Sequence, residues 1–265
     1  MTKHFRKKSA FTLVELAIVL TVIGLIIAGV VNGRSLIRQA QMRSVLSEYA
    51  AYDIAVLNFK NSYDQLPGDF DGAYTLWGTN CHSTASSCNG DGNWQLSSSG
   101  SRKEMFMSLR HLNLAGIIAV SYAGFSSAAN SESSPGLNVP EGRFPNSEWN
   151  IGARDGTFLS SSINSALFSR NGISIGRHNT VQASTNEGSL FTPQEAGGVD
   201  AKIDDGMPAS GKVNAIQGVL LSTSAYSTAC FTPSSAAGSA ATYTYSVTTP
   251  ECTLDFSMSA SNNFW

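Results

Sequence analysis

Hydrophobic and polar positions follow three regimes along this chain. From Phe11 to Val31 the apolar residues are almost continuous, and between Lys8 and Arg34 the only charge is Glu15. A run of this length spans a bilayer as a helix. From Arg34 to Lys60 the apolar residues thin to Leu36, Ile37, Ala40, Val45, Leu46, Tyr49, Tyr52, Val56 and Phe59, close to helical spacing. Arg34, Arg38, Arg43, Glu48 and Asp53 are left for the other side. Residues 11–60 as one helix would extend about 75 Å at 1.5 Å per residue. The third regime begins at Pro67-Gly68-Asp69, where a proline followed by a glycine breaks the helix.

Beyond that break the apolar pieces are short. Ser101-Arg-Lys-Glu104 has capping-box spacing and opens a helix with Met105, Phe106, Leu109 and Leu112 on one face, ending near Gly116. Residues 120–190 are rich in Ser, Asn and Gly and read as strands joined by long loops. Thr192-Pro-Gln-Glu195 is a second capping box, with Pro193 at the first helical position, and this helix runs to Ile203. Val213–Leu221 reads as a strand, and Thr242–Val247 alternates like one. The predicted fold is α+β: a long N-terminal transmembrane helix packed on an antiparallel sheet within a head domain. The segments are a leader at 1–10, a membrane half of the helix at 11–33, an extramembrane half at 34–60 and a globular head at 61–265.

Composition sharpens this division. Of 265 residues 42% are hydrophobic and only 14% charged, with abundant small polar residues, which suits an exported, loop-rich β domain. The net charge is −2, but Lys3, Arg6, Lys7 and Lys8 crowd the first ten residues. Without these four the chain keeps 13 basic against 19 acidic residues, a net −6, so the basic excess belongs to the extreme N-terminus. It places that end on the cytoplasmic side of a membrane, and nothing in the charge points to nucleic acid. An ordinary cleaved secretion signal fits poorly, because no small-x-small site closes the run and a carboxylate lies inside it. A charge at the bilayer centre costs on the order of 2–3 kcal/mol, so Glu15 needs a partner.

The four cysteines form two local pairs, Cys81/Cys88 and Cys230/Cys252, whose spacing favours disulfides over zinc. Asn89-Gly-Asp-Gly-Asn93 could wrap Ca²⁺ through Asp91, but it lacks the twelve-residue EF-hand pattern, and a Gly-rich turn is the favoured reading. Gly172-Ile-Ser174-Ile-Gly176 fits the spacing of a hydrolase nucleophile elbow. The alternating isoleucines argue instead for a strand, and no catalytic residue is assigned.

Lys7-Lys8-Ser9-Ala10-Phe11-Thr12-Leu13-Val14-Glu15-Leu16 resembles the cleavage and methylation signature of type IV prepilins and type II secretion pseudopilins. The resemblance implies that a prepilin peptidase cuts between Ala10 and Phe11 and that Phe11 is N-methylated. Glu15 falls where the family carries its invariant acid. Ala10 stands where the family usually has Gly, and Asn32 where many members have Pro. In a monomer the Glu15 carboxylate would be poorly compensated; in a filament it would meet the Phe11 ammonium of a neighbouring subunit. The resemblance thus implies a structural subunit, not an enzyme. Its partners would be other pilin or pseudopilin subunits, the prepilin peptidase, and an inner-membrane assembly platform driven by a cytoplasmic ATPase. It would pass once through the inner membrane and end in a periplasmic or extracellular filament. Tyr63–Phe70 and Asp200–Val213 are similar to segments of a subset of pilin-like proteins. Asp204 and Asp205 are similar to the acids of the calcium-binding C-terminal loop of major pseudopilins, although a helix cap with a tight turn is favoured for them. The rival reading is a membrane-anchored exported adhesin, or a hydrolase using Ser174, that forms no filament.

Overall fold

The computed structural model describes residues 12–96, 103–124, 133–153, 171–178, 188–220, 226–232 and 241–261. Ala10, Phe11 and the predicted cap at Ser101 lie outside them. The chain divides into two compact units, Met1–Arg43 and Ser44–Trp265. Helix α1 (Leu13–Tyr63) contributes residues to both. It contains no proline, and it ends where Asp64 takes a left-handed φ of 55° and donates its N–H to Lys60 O at 2.8 Å. That left-handed exit just after the last turn, with Pro67 three residues on, stops the helix.

In the second unit the main element is an antiparallel sheet ordered β1 (Ser147–Ala153), β2 (Asn171–Arg177), β6 (Cys252–Ser257), β3 (Val213–Gln217). Its register aligns Trp149 with Ile175, Ile175 with Leu254, and Leu254 with Ala215. The next row of the same face is Ile151, Ile173, Phe256 and Val213. This apolar face receives the end of α1. Tyr49 stacks on Phe256 with ring centroids 4.5 Å apart, and Tyr52 tilts against Trp149 at 5.7 Å. Phe59 continues the contact into a second aromatic group with Tyr63, Phe70, Trp77 and His111. The predicted α+β architecture is therefore the observed one.

Polar latches fix this packing, and here the structure differs from the helical-wheel reading. Glu48 and Asp53 do not simply face water. Glu48 accepts from Trp149 Nε1 at 3.0 Å and from the Arg143 N–H at 2.9 Å, while Asp53 accepts from Ser259 N at 2.7 Å and Ser259 Oγ at 2.6 Å. The partners lie far along the chain, so periodicity alone could not reveal them.

Around the sheet sit short helices: α2 (Ala73–Trp77), α3 (Ala85–Cys88), α4 (Lys103–Leu114) and α5 (Pro193–Ile203). The α5 capping box is present as predicted, with Thr192 Oγ1 accepting from Glu195 N and Glu195 Oε2 accepting from Thr192 N. Two predicted strands are shorter than expected. β3 ends at Gln217: Gly218 N still donates to Glu251 O at 2.8 Å, but Val219 passes to isolated bridges with Gly188 and Tyr226. The alternating Thr242–Val247 segment yields only β5 (Thr242–Tyr243), paired with β4 (Phe231–Thr232), because turns follow at once: Tyr245 N bonds Tyr243 O and Val247 N bonds Thr244 O.

Candidate functional site

The first candidate is the start of α1. Its side chains are bare: Leu13 is 87% and Leu25 75% exposed, and Ile18, Val19, Leu20, Ile26, Ile27 and Val31 are likewise on the surface. The most apolar 18-residue window has a mean hydropathy of 2.7, and none of it is buried. Soluble proteins rarely expose a continuous apolar surface of this size, so the segment requires lipid or other protein around it. Among the described residues α1 is the one helix long and apolar enough to cross a membrane.

Glu15 is the single charge in that surface, and it has local hydrogen-bond partners. Its Oε2 accepts from Thr12 N at 2.8 Å and from Thr12 Oγ1 at 2.9 Å, while Thr12 Oγ1 accepts from Glu15 N at 3.2 Å. With α1 beginning at Leu13, this is a reciprocal capping box: Thr12 is the N-cap and Glu15 the third helical residue. The carboxylate also lies at the positive end of the helix dipole. The signal was present in the sequence, since Thr12-Leu-Val-Glu15 has the spacing that identified the cap at Thr192. The apolar run masked it. Ala10 and Phe11 lie outside the described residues, so the cut and the ammonium it would create have no described geometry.

In the head, the predicted disulfides are both formed: Cys81–Cys88 with Cα atoms 5.6 Å apart and Cys230–Cys252 at 5.1 Å. His111 joins the first, its Nε2 lying 3.8 Å from Cys81 Sγ and 3.0 Å from Cys88 O, while Gly68 N donates to its Nδ1. Because Nδ1 accepts, Nε2 carries the proton, and the ring is a neutral buried strut. With both sulfurs bonded to each other, this cluster offers no thiolate to a metal.

The acids considered for Ca²⁺ fall into two clusters. Asp91 meets Asp69 and Glu104, and Asp204 and Asp205 meet Asp200, with one oxygen of each within 4.8 Å of the others. Most of these oxygens hold backbone. Asp69 accepts from the N–H groups of Gly92, Asn93 and Trp94 at 2.8, 3.2 and 2.6 Å, which folds the Asn89–Asn93 turn around it. Asp200 accepts from Gly206 N at 3.1 Å and from Tyr243 Oη at 2.8 Å. Asp205 accepts from Met207 N and Ser210 Oγ, and Asp204 from Lys212 N. Burial pushes the Asp69 carboxyl up to about 7, against the pull of the Trp94 N–H and helped by the nearby Glu104 charge. Asp200 is pushed to about 7 by burial as well, against the Tyr243 hydroxyl and the Gly206 N–H. Ser174 lies within β2 and is 3% exposed, so Gly172–Gly176 is a strand and not a strand-to-helix elbow.

Residues 5–31 match the family model of the prokaryotic N-terminal methylation motif. The chain carries the type IV pilin and pseudopilin signature. The match includes Ala10, Phe11 and Glu15 and runs along the bare start of α1 to Val31. No curated protein and no solved structure matches the chain.

The signature and the geometry agree on what this region is. The pilin-type motif marks a prepilin peptidase substrate of a structural subunit family, and the apolar helix fits anchoring in the inner membrane. Assembly with other pilin subunits is what the motif suggests for the surface from Leu13 to Val31.

Proposed function

We propose that this chain is the precursor of a filament subunit, in a type IV pilus or a type II secretion pseudopilus. The prepilin peptidase cuts between Ala10 and Phe11 on the cytoplasmic side and methylates the new amine. The subunit stays in the inner membrane through the bare half of α1, with the head outside, until the assembly platform draws it into a filament. There lipid is exchanged for the same apolar surface of neighbouring subunits.

One observation carries this reading: a fully exposed apolar stretch at the start of α1 whose single charge is a carboxylate four residues beyond Phe11. Cleavage converts Phe11 into an ammonium within the family's register, and Glu15 becomes the natural counter-charge on the next subunit. The carboxylate exchanges the Thr12 N–H and hydroxyl for this stronger partner, a charge-assisted bond in a medium of low dielectric. Before assembly the Thr12 cap lowers the cost of keeping the acid in lipid. Afterwards the ion pair sets the axial register.

Intact mass analysis of the mature N-terminus, combined with sheared-filament fractions, tests the proposal. The expected result is an N-methylated chain beginning at Phe11 that is found in filaments. A processed chain that remains wholly in the membrane fraction, while its secretion system or pilus is active, would favour the anchored, non-filamentous reading.

A further inference from the structure

Glu148 lies in β1 on the sheet face opposite Trp149 and Ile151, and none of its side chain reaches solvent. Separate stretches of chain meet at this carboxylate. His178, just beyond the end of β2, brings Nδ1 to 2.9 Å from Oε2. Ser133 Oγ donates to Oε1 at 2.6 Å and lies 3.4 Å from the same imidazole nitrogen. Across an antiparallel bridge stands Glu141, so two acids are directly opposed there. Like charges facing each other across strands are destabilising, and a cation beside them offsets the cost.

A carboxylate taken out of water keeps much of its desolvation cost unless a charge compensates it. Among the described residues, Glu141, Arg177 and His178 line one cleft at this end of the sheet, and His178 is the cation in contact with Glu148. Arg143, in the turn before β1, faces Glu48 instead. A carboxylate only accepts, so Nδ1 carries a proton and donates whether the ring is charged or neutral. Loss of the Nε2 proton therefore keeps the hydrogen bond and removes the compensating charge. Ser133 begins a turn that is closed on itself: Ser134 N donates to Asn138 Oδ1 at 2.6 Å and Gly136 N to Val139 O at 2.8 Å. The turn is held to β1 by Ser133 Oγ at one end and by Trp149 N donating to Pro140 O at 3.0 Å at the other.

We propose that Glu148, His178 and Ser133 form a pH-sensitive clasp, in which the charged imidazole keeps the 133–139 turn on the sheet and its neutralisation at alkaline pH releases the turn. Glu141 supports the charged ring and Arg177 opposes it, so the buried Glu148 decides the balance. A histidine that gains a carboxylate partner on folding holds its proton more tightly than in the unfolded chain. Its contribution is complete below the ordinary imidazole value of about 6.5 and is lost as pH rises through the higher folded-state value. The clasp is independent of the filament reading, since all of its residues belong to the second unit.

The test is a pH titration of the full-length chain in detergent, read by the imidazole NMR signal of His178 and by hydrogen exchange of residues 133–142. The signal is assigned by its disappearance in His178→Gln. In the unmodified chain it should titrate at least about one unit above the ordinary value, and Glu148→Gln should bring it down by about that amount. From about pH 6 to about pH 9 the turn's exchange, corrected for its intrinsic pH dependence, should accelerate by about tenfold or more while β6 stays protected. Glu148→Gln should abolish that acceleration, and His178→Gln should exchange fast already at about pH 6, because its carboxylate has lost its counter-charge. A His178 signal at or below the ordinary value, a turn equally protected across the range, loss of β6 protection in step with the turn, or the same acceleration in Glu148→Gln would each overturn the proposal. The first three outcomes are read on the unmodified chain and need no variant to fold.

Discussion

Two stretches of one helix meet opposite fates. Residues 13–31 and 45–59 of α1 are both helical and both apolar. Yet Leu13 and Leu25 are almost wholly exposed, whereas Val45, Val56 and Phe59 are fully buried. The difference lies in what surrounds the apolar residues. In the second stretch they keep to a stripe that one sheet face can cover, and Glu48, Asp53 and Lys60 flank it with bonds to the head. In the first they occupy every side, which no single domain face can cover. The lesson is a division of labour: the second stretch supplies stability to its own chain, and the first supplies contacts beyond it.

Four experiments can break or sharpen that contrast. The largest effect is expected from Glu15→Gln, which removes the counter-charge without touching the head: filament yield should collapse while the head's unfolding midpoint stays unchanged. Normal yield in that strain would break the comparison. Phe59→Ala is its mirror image. Removing a fully buried ring should cost about 3–5 kcal/mol of head stability by chemical denaturation, with membrane retention unaffected. Replacing Cys230 and Cys252 by serine should follow at about 3.4 kcal/mol, and Cys81 with Cys88 at about 2.5 kcal/mol, because the shorter ring restrains the unfolded chain less. Equal losses from the two rings would show that the loop-closure account fails here.

The fourth is a modulation by pH, confined to the head. Asp69 and Asp200 have folded-state pKa values of about 7, raised from an ordinary 3.8. A carboxyl whose pKa rises on folding supports the fold fully below its unfolded value and loses that contribution as pH climbs to the folded one. Head stability should therefore fall between about pH 4 and pH 7, and Asp69→Asn should flatten part of that slope. The same slope in the unmodified chain and in the Asp69→Asn variant would assign the pH response to other groups.

Much of the first stretch was legible in the sequence, because a membrane span and a processing signature are local patterns. The Thr12–Glu15 cap is local too, but the apolar run around it hides its spacing. The head was legible only in part. The helix from Pro193 to Ile203 could be bounded by its cap and the disulfides by cysteine spacing, but β3 stops at Gln217, where Val219 passes to bridges with Gly188, some thirty positions away, and Tyr226. The buried Glu148–His178 pair could not be foreseen: the two residues are thirty positions apart, and only the β1–β2 register brings them together.

By itself the sequence determined the processing signature, the apolar span, the position of Glu15 and the long helix, since each depends on residues within a few turns of one another. Only the tertiary structure decided which partners hold the covered half of that helix. It also turned Glu48 and Asp53 from solvent-facing charges into latches. Those outcomes depend on strand register and on partners as many as two hundred residues distant, and such contacts leave no periodic mark on the chain.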